Sequence, residues 1–312
     1  MPTEISIGGV CRLADRGVIR ASGADAASFL QSQLTNDVAG LDTGSARLAG
    51  FCSAKGRLQA SFVVWRPGGD EFLLSCPRAL LAATLKRLSM FVLRAKCKLS
   101  DASDEIAVFG VAGAAATAML GDAAVWQVRA HGATTLLRLP DAAGVQRAWV
   151  VAASGDEVVV AAAPAMTAAT WSWLEVESGI VTIEPATVDR FVPQMVNFEL
   201  VGGVDFQKGC YPGQEVVARS QYRGTTKRRT LLFDCEVVPT AGQDVFVRSA
   251  AGEPAGTVAN GAPHPARPGG TALVEVRLAA VGEDLRLAAA DGPPLHRREL
   301  PYDVPLDAAV TS

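Results

Sequence analysis

The strongest constraint on the fold is a change of character near Arg229. Beyond it come TLLFDCEVV, QDVFVRS, GEPAGTVAN, TALVEVRL and EDLRLAAA, each separated from the next by Gly, Pro or Asp. Short strands at that spacing predict a small β-barrel or sandwich. Before Arg229, strands and amphipathic helices interleave with many hairpin signals, which predicts an α+β region of mostly antiparallel sheets. The boundary falls near 228–232, giving a first region over 1–229, divisible near 105–165, and a barrel over 230–312.

In the first region, residues 4–21 read as strands around turns at Gly8-Gly9 and Asp15-Arg16-Gly17. GADAASFLQSQLTNDV (23–38) reads as a helix capped by Asp25, with Ala26, Phe29, Leu30 and Leu34 at helical spacing, ending at Thr35-Asn36-Asp37. Residues 45–77 read as antiparallel strands, followed by a helix from Ser75 and Pro77 through Phe91. Residues 165–179 read as a helix closed by Gly179. Gly110 and Gly113 give G-x-x-G, which is not the dinucleotide-binding spacing.

The 312 residues suffice for two or three compact units. A net charge of −3 argues against non-specific nucleic-acid binding by the whole surface, and no direct DNA partner is expected. The apolar runs 106–120 and 158–166 fall short of the roughly 20 residues that span a bilayer, and the N-terminus lacks a signal-peptide pattern. A cytoplasmic protein with no membrane partner is the expectation. Six cysteines without a C-x-x-C pair point to reduced thiols, and three scattered histidines to no metal site. G-x-S-x-G, H-E-x-x-H, Walker and EF-hand patterns are all missing.

The densest chemistry lies in VDFQKGCYPGQEVVARSQYRG (204–224). Tyr211-Pro212-Gly213 is a turn signal, Pro212 suits the first position of a helix, and GQEVVARSQ reads as that helix, with Val216, Val217 and Ser220 on one side. Cys210 then sits ahead of a helix N-terminus, two residues after Lys208. Both features favour a thiolate, able to act as a nucleophile or as a metal or cluster ligand; the plainer alternative is a buried cysteine in a turn. Arg219, Arg223, Lys227, Arg228 and Arg229 put five basic residues into eleven. They suit a carboxylate ligand, an RNA, a protein partner or simply a solvated face.

Lys208-Gly209-Cys210-Tyr211-Pro212-Gly213-Gln214-Glu215 resembles the signature of the YgfZ-type folate-binding proteins, relatives of the aminomethyltransferase (T-protein) of the glycine cleavage system. Residues 191–204 and 218–229 resemble that family as well. The resemblance implies antiparallel sheets and helices around a central cavity, a C-terminal β-barrel, and tetrahydrofolate or a derivative as cofactor. It further implies a role in assembling or repairing iron–sulfur clusters in client enzymes, tRNA-modifying ones included. On this resemblance Glu177 is the pterin-binding glutamate, since a carboxylate accepts adjacent ring N–H groups in bidentate fashion. Glu175 is left to solvent or a local ion pair. The Thr35-Asn36-Asp37 segment borders the cavity, Asn36, Lys208 and Gln214 bind the cofactor, Arg219 and Arg223 receive the folate glutamate tail, and Cys210 is the reactive thiol. As a cluster ligand Cys210 supplies one bond, so further thiols would have to come from elsewhere.

The chain departs from the transferase pattern in one place. Ala60 and Ser61 stand where the family's aspartate pair is sought, and neither is a carboxylate base. Arg57 and Gln59 lie nearby. A folate-dependent one-carbon transferase acting on an amine is the alternative reading, with Asp37 as its acid.

Overall fold

The computed structural model describes residues 7–156, 163–222, 226–250 and 252–306. The chain opens with β1 (Gly9–Arg12), β2 (Arg16–Ser22), α1 (Ala26–Gln33), β3 (Ala46–Cys52), β4 (Leu58–Gly68), β5 (Glu71–Pro77), α2 (Arg78–Ser89) and β6 (Lys98–Asp101). Next come β7 (Ile106–Ala112), α3 (Ala114–Leu120), β8 (Val128–His131), β9 (Thr134–Ala142), β10 (Val145–Ala153), α4 (Ala168–Glu177) and α5 (Gln214–Tyr222). The last part is all strand: β11 (Arg228–Cys235), β12 (Asp244–Val247), β13 (Gly256–Pro263), β14 (Gly270–Arg277), β15 (Leu285–Leu287) and β16 (Leu295–Arg298).

Two five-stranded antiparallel sheets form, in the orders β3-β4-β5-β2-β6 and β1-β7-β10-β9-β8. Both are buried on both faces because alternate side chains point to opposite sides of a strand. Along β4, Phe62 and Val64 join the core under α1 and α2, while Val63 and Trp65 face the middle of the molecule. Along β10, Ala148, Val150 and Ala152 pack towards α3, while Trp149 and Val151 face the same middle. Helix α4 lies in that shared core with Trp171, Trp173, Leu174 and Val176 buried. Gly110 makes this possible: a Cβ on it would sit 2.5 Å from the Trp171 ring. Its role is close packing, not cofactor binding.

The third sheet runs β15-β12-β13-β14-β11-β16 and nearly closes into a barrel, with a lone bridge between Arg286 and Pro294 across the gap. The α+β class and the terminal barrel are therefore as expected, but the barrel has six strands where five were legible. Strand β16, LHRR, buries only its first residue and so shows no apolar alternation. Several local expectations are corrected. Arg16 begins β2 instead of sitting in a turn. The Asp25 carboxylate accepts from the Lys96 backbone N–H at 2.7 Å and does not cap α1. Helix α2 begins at Arg78, with Ser75 and Pro77 still in β5. Helix α5 begins at Gln214, beyond Pro212, and buries Val217 while Val216 is exposed.

Candidate functional site

Between the two five-stranded sheets lies a small cavity of about 50 Å³. Arg16 enters it from the start of β2, its side chain 8% exposed, and Glu175 enters from the last turn of α4. Arg16 Nη2 donates to both Glu175 oxygens, at 2.7 and 2.8 Å, and the guanidinium lies 5.6 Å over the Trp149 ring. Burial works against the Arg16 charge, but Glu175 more than offsets it, so this cation is held firmly. Arg147, on the same face of β10 as Trp149, is also buried. Its Nε donates to the Pro140 carbonyl, its guanidinium lies 5.5 Å over Trp171, and burial pulls its pKa down to about 10. Among the described residues no carboxylate pairs with it. Among the described residues, the Trp149 indole N–H and the Ser75 hydroxyl, both buried beside the cavity, have no hydrogen-bond partner. Buried polar groups are ordinarily satisfied, so two unpartnered ones beside the buried, carboxylate-free Arg147 mark a place built for a polar group.

The cavity continues into a cleft of about 500 Å³ that shares Arg16, Glu175, Ile180 and Thr182. Its far wall belongs to the barrel: the Asn260 side chain on β13 accepts from Thr182 N–H and donates to Glu184 Oε1 at 2.6 Å. Burial pushes the Glu184 carboxyl up. The cleft thus draws on both ends of the chain.

The Cys210 segment sits at the end of β3. Lys208 donates its ammonium to the Gln31 and Leu34 carbonyls at the C-terminus of α1, where a cation complements the helix dipole. Burial there lowers its pKa to about 8. Tyr211 is buried beside Lys208, at 5.0 Å from ring to ammonium. Gly213 has a φ of +80°, and a Cβ on it would fall 2.4 Å from the Ser53 carbonyl oxygen. Gly213→Ala is expected to cost about 2 kcal/mol or more, read by thermal unfolding; an unchanged melting point would show that the loop can be moved cheaply. Cys210 is exposed and the other five cysteines are buried, with burial pushing Cys52 and Cys76 up to about 12. Cys210 is therefore the accessible thiol.

The residues singled out in the sequence do not all converge. Glu177 is buried, but both its oxygens accept from Arg298 on β16, at 2.5 and 3.0 Å, and it does not line the cavity. Its neighbour Glu175 does, through a pairing with Arg16 that spans the chain and is not local. Asn36 spends its amide on the Leu48 and Gly202 carbonyls at 2.7 Å each, and its oxygen on Asp37 N–H, which makes it a clamp. Asp37 pairs with Arg47 at 3.1 Å away from the cavity. Burial would raise its pKa, but the Gly40 N–H and Arg47 together bring it below the usual range. Lys208 has two of its donors committed to α1, so it holds the loop. Gln214 opens α5 and Arg219 is exposed near its end; neither lines the cavity or the cleft. Arg223 lies outside the described residues. Arg228 pairs with Glu275, and Arg229 with Glu199. Ser61 faces the cavity and its hydroxyl accepts from Ile183 N–H at 2.9 Å, whereas Ala60 faces the other core. Among the described residues no group of three or more His, Cys, Asp or Glu side chains gathers to hold a metal, and no helix is long and apolar enough to cross a membrane.

The GCVT N-terminal domain model matches residues 8–154. The tRNA-modifying protein YgfZ of Edwardsiella ictaluri is 37% identical over 253 residues, 76% of this chain and 75% of that protein. The chain belongs to the YgfZ family. The YgfZ proteins of Klebsiella pneumoniae and Shigella boydii are 34% and 32% identical over 249 residues, again 76% of this chain and 75% of theirs. In fold, the glycine cleavage system aminomethyltransferase T from Bartonella henselae superimposes with a TM-score of 0.73, covering 96% of this chain and 86% of that one at 16% identity. The fold of this YgfZ-family chain is thus aminomethyltransferase-like.

Proposed function

We propose that this YgfZ-family chain is a tetrahydrofolate-binding accessory factor supporting iron–sulfur client enzymes, tRNA-modifying ones among them. One observation carries the folate part: the buried donors Arg147, Trp149 and Ser75 face the Glu175–Arg16 pair across one cavity. A pterin edge offers carbonyl and ring-nitrogen acceptors to such donors, and paired N–H groups to a carboxylate. The 50 Å³ recess takes only the tip of a ring, and the 500 Å³ cleft beside it has room for the remainder. These residues fit the group. Glu175 takes the pterin role in place of Glu177 because, although each is paired with an arginine, Glu175 lines the cavity and Glu177 does not. Bound tetrahydrofolate would supply one-carbon carriage; the chain's own residues orient it and shield it from water.

The accessory reading is favoured over a transferase because the cavity side of β4 presents Ser61 and no carboxylate, and because Asp37 is held elsewhere by Arg47. The tRNA connection rests on the names of the relatives, and the client role on the accessible Cys210. Titration of the pure protein with tetrahydrofolate tests the site, and complementation by Cys210→Ala tests the thiol. We expect saturable binding, changed by less than about two-fold in Cys210→Ala since that side chain is exposed, together with loss of complementation. No binding would end the folate reading; full complementation by Cys210→Ala would end the role of the thiol.

A further inference from the structure

The turn between α2 and β6 displays apolar side chains to solvent: Met90 is 68% exposed, Phe91 40% and Leu93 88%. Leu93 also has a φ of +40°, a left-handed backbone that destabilises any side chain bearing a Cβ. A leucine held there while burying almost nothing is strain without a packing return, the kind of feature that persists at functional sites. Beside this tip runs a groove of about 320 Å³ whose apolar lining includes Phe51, Leu80, Ala83 and Met90. The groove is ready to take a side chain.

Charge identifies the occupant. From Arg78 to Lys98 the chain has no acidic residue, although its overall charge is −3. Lys86, Arg87, Arg94, Lys96 and Lys98 flank the tip, and none of their side chains is in an ion pair among the described residues. The tip is also tied to the Cys210 segment. Phe91 meets Phe51 with ring centres 6.5 Å apart, Phe51 bridges to Leu34, and Leu34 accepts from Lys208. A bilayer has no side chain to fill a groove, and an RNA would want exposed aromatic rings where this tip is mainly aliphatic. A protein fits both features.

We propose that residues 86–98 dock a partner protein presenting an acidic surface around one protruding apolar side chain, which enters the groove beside Met90. This interface goes beyond the folate reading and stands without it. The test introduces the photo-crosslinker p-benzoylphenylalanine at Leu93 of the full chain in cells that make it, and identifies the captured protein. That protein, purified, is titrated against wild type, Leu93→Gly and the double variant Arg87→Glu with Arg94→Glu. Glycine suits the left-handed backbone, so Leu93→Gly is expected to raise the melting temperature by about 2 °C while weakening binding about ten-fold. The charge reversal is expected to weaken binding about ten-fold as well, with a larger loss at low salt. Failure to capture a protein, or a captured protein that binds all three chains alike, overturns the proposal. So does transfer of the Leu93→Gly sensitivity to phosphatidylglycerol vesicles or bulk tRNA, titrated in parallel.

Discussion

Replacing Arg298 with alanine is expected to lower the stability of the fold by about 3–5 kcal/mol. Glu177 is 5% exposed, and its carboxylate is satisfied through the two Arg298 nitrogens, one of which also reaches Asp234 at 3.3 Å. Removing the arginine leaves a buried charge with no compensation, the costly way to break such a pair. Removing both charges is different: Glu177→Leu with Arg298→Met is expected to recover most of the loss, because a buried ion pair is worth little more than apolar contact of the same shape. Denaturant unfolding of the two single variants and the double variant measures this as a cycle. A loss below about 1 kcal/mol in Arg298→Ala would mean that the pair does not join α4 to the barrel, and would return Glu177 to consideration as a ligand residue.

The second large effect concerns the ligand. Glu175→Ala is expected to weaken tetrahydrofolate binding by roughly ten-fold or more, since a charge-assisted hydrogen bond contributes about 1.5–3 kcal/mol. The same variant frees the Arg16 guanidinium, now buried against Trp149 without its carboxylate, so a drop in melting temperature should accompany it. Glu177→Gln is the control, because it removes the neighbouring charge from the same helix while leaving the cavity lining intact. Calorimetric titration distinguishes them. Equal affinities for Glu175→Ala and wild type would place the pterin edge outside this cavity, whatever happens to stability.

How much of this was legible from residue order differs by element. The barrel strands and the helices of the first region declared themselves through spacing, since their buried faces follow periods of two and 3.6 residues. Strand β16 did not, because only its first residue is apolar and buried and the three that follow are polar, which leaves no such period. The family signature directed attention to Cys210, and the structure does leave that thiol accessible. The cavity was less visible. Arg16 looked like a turn residue; Arg147 directly precedes the apolar run AWVVAA of β10, and an arginine at such a place is the kind of signal that could have found the cavity. Choosing between Glu175 and Glu177 depended on which long-range arginine each would meet, and partners 159 and 121 residues away cannot be read from local pattern.

The wall that Asn260 contributes to the cleft ties the proposed folate site to the order in which the chain is made and folded. Arg16, Glu175 and Asn260 lie far apart in sequence, so closing the cleft requires contacts of long range, which form slowly. During synthesis the first two sheets can collapse while this pocket still lacks a side, and only arrival of the barrel completes it. A molecule bound there then bridges early- and late-synthesised parts, stabilising the finished state by about 2.7 kcal/mol at a hundred times its dissociation constant. On the proposed folate reading, starving a cell of folate is therefore expected to shorten the half-life of the protein as well as empty it; an unchanged half-life would count against that reading.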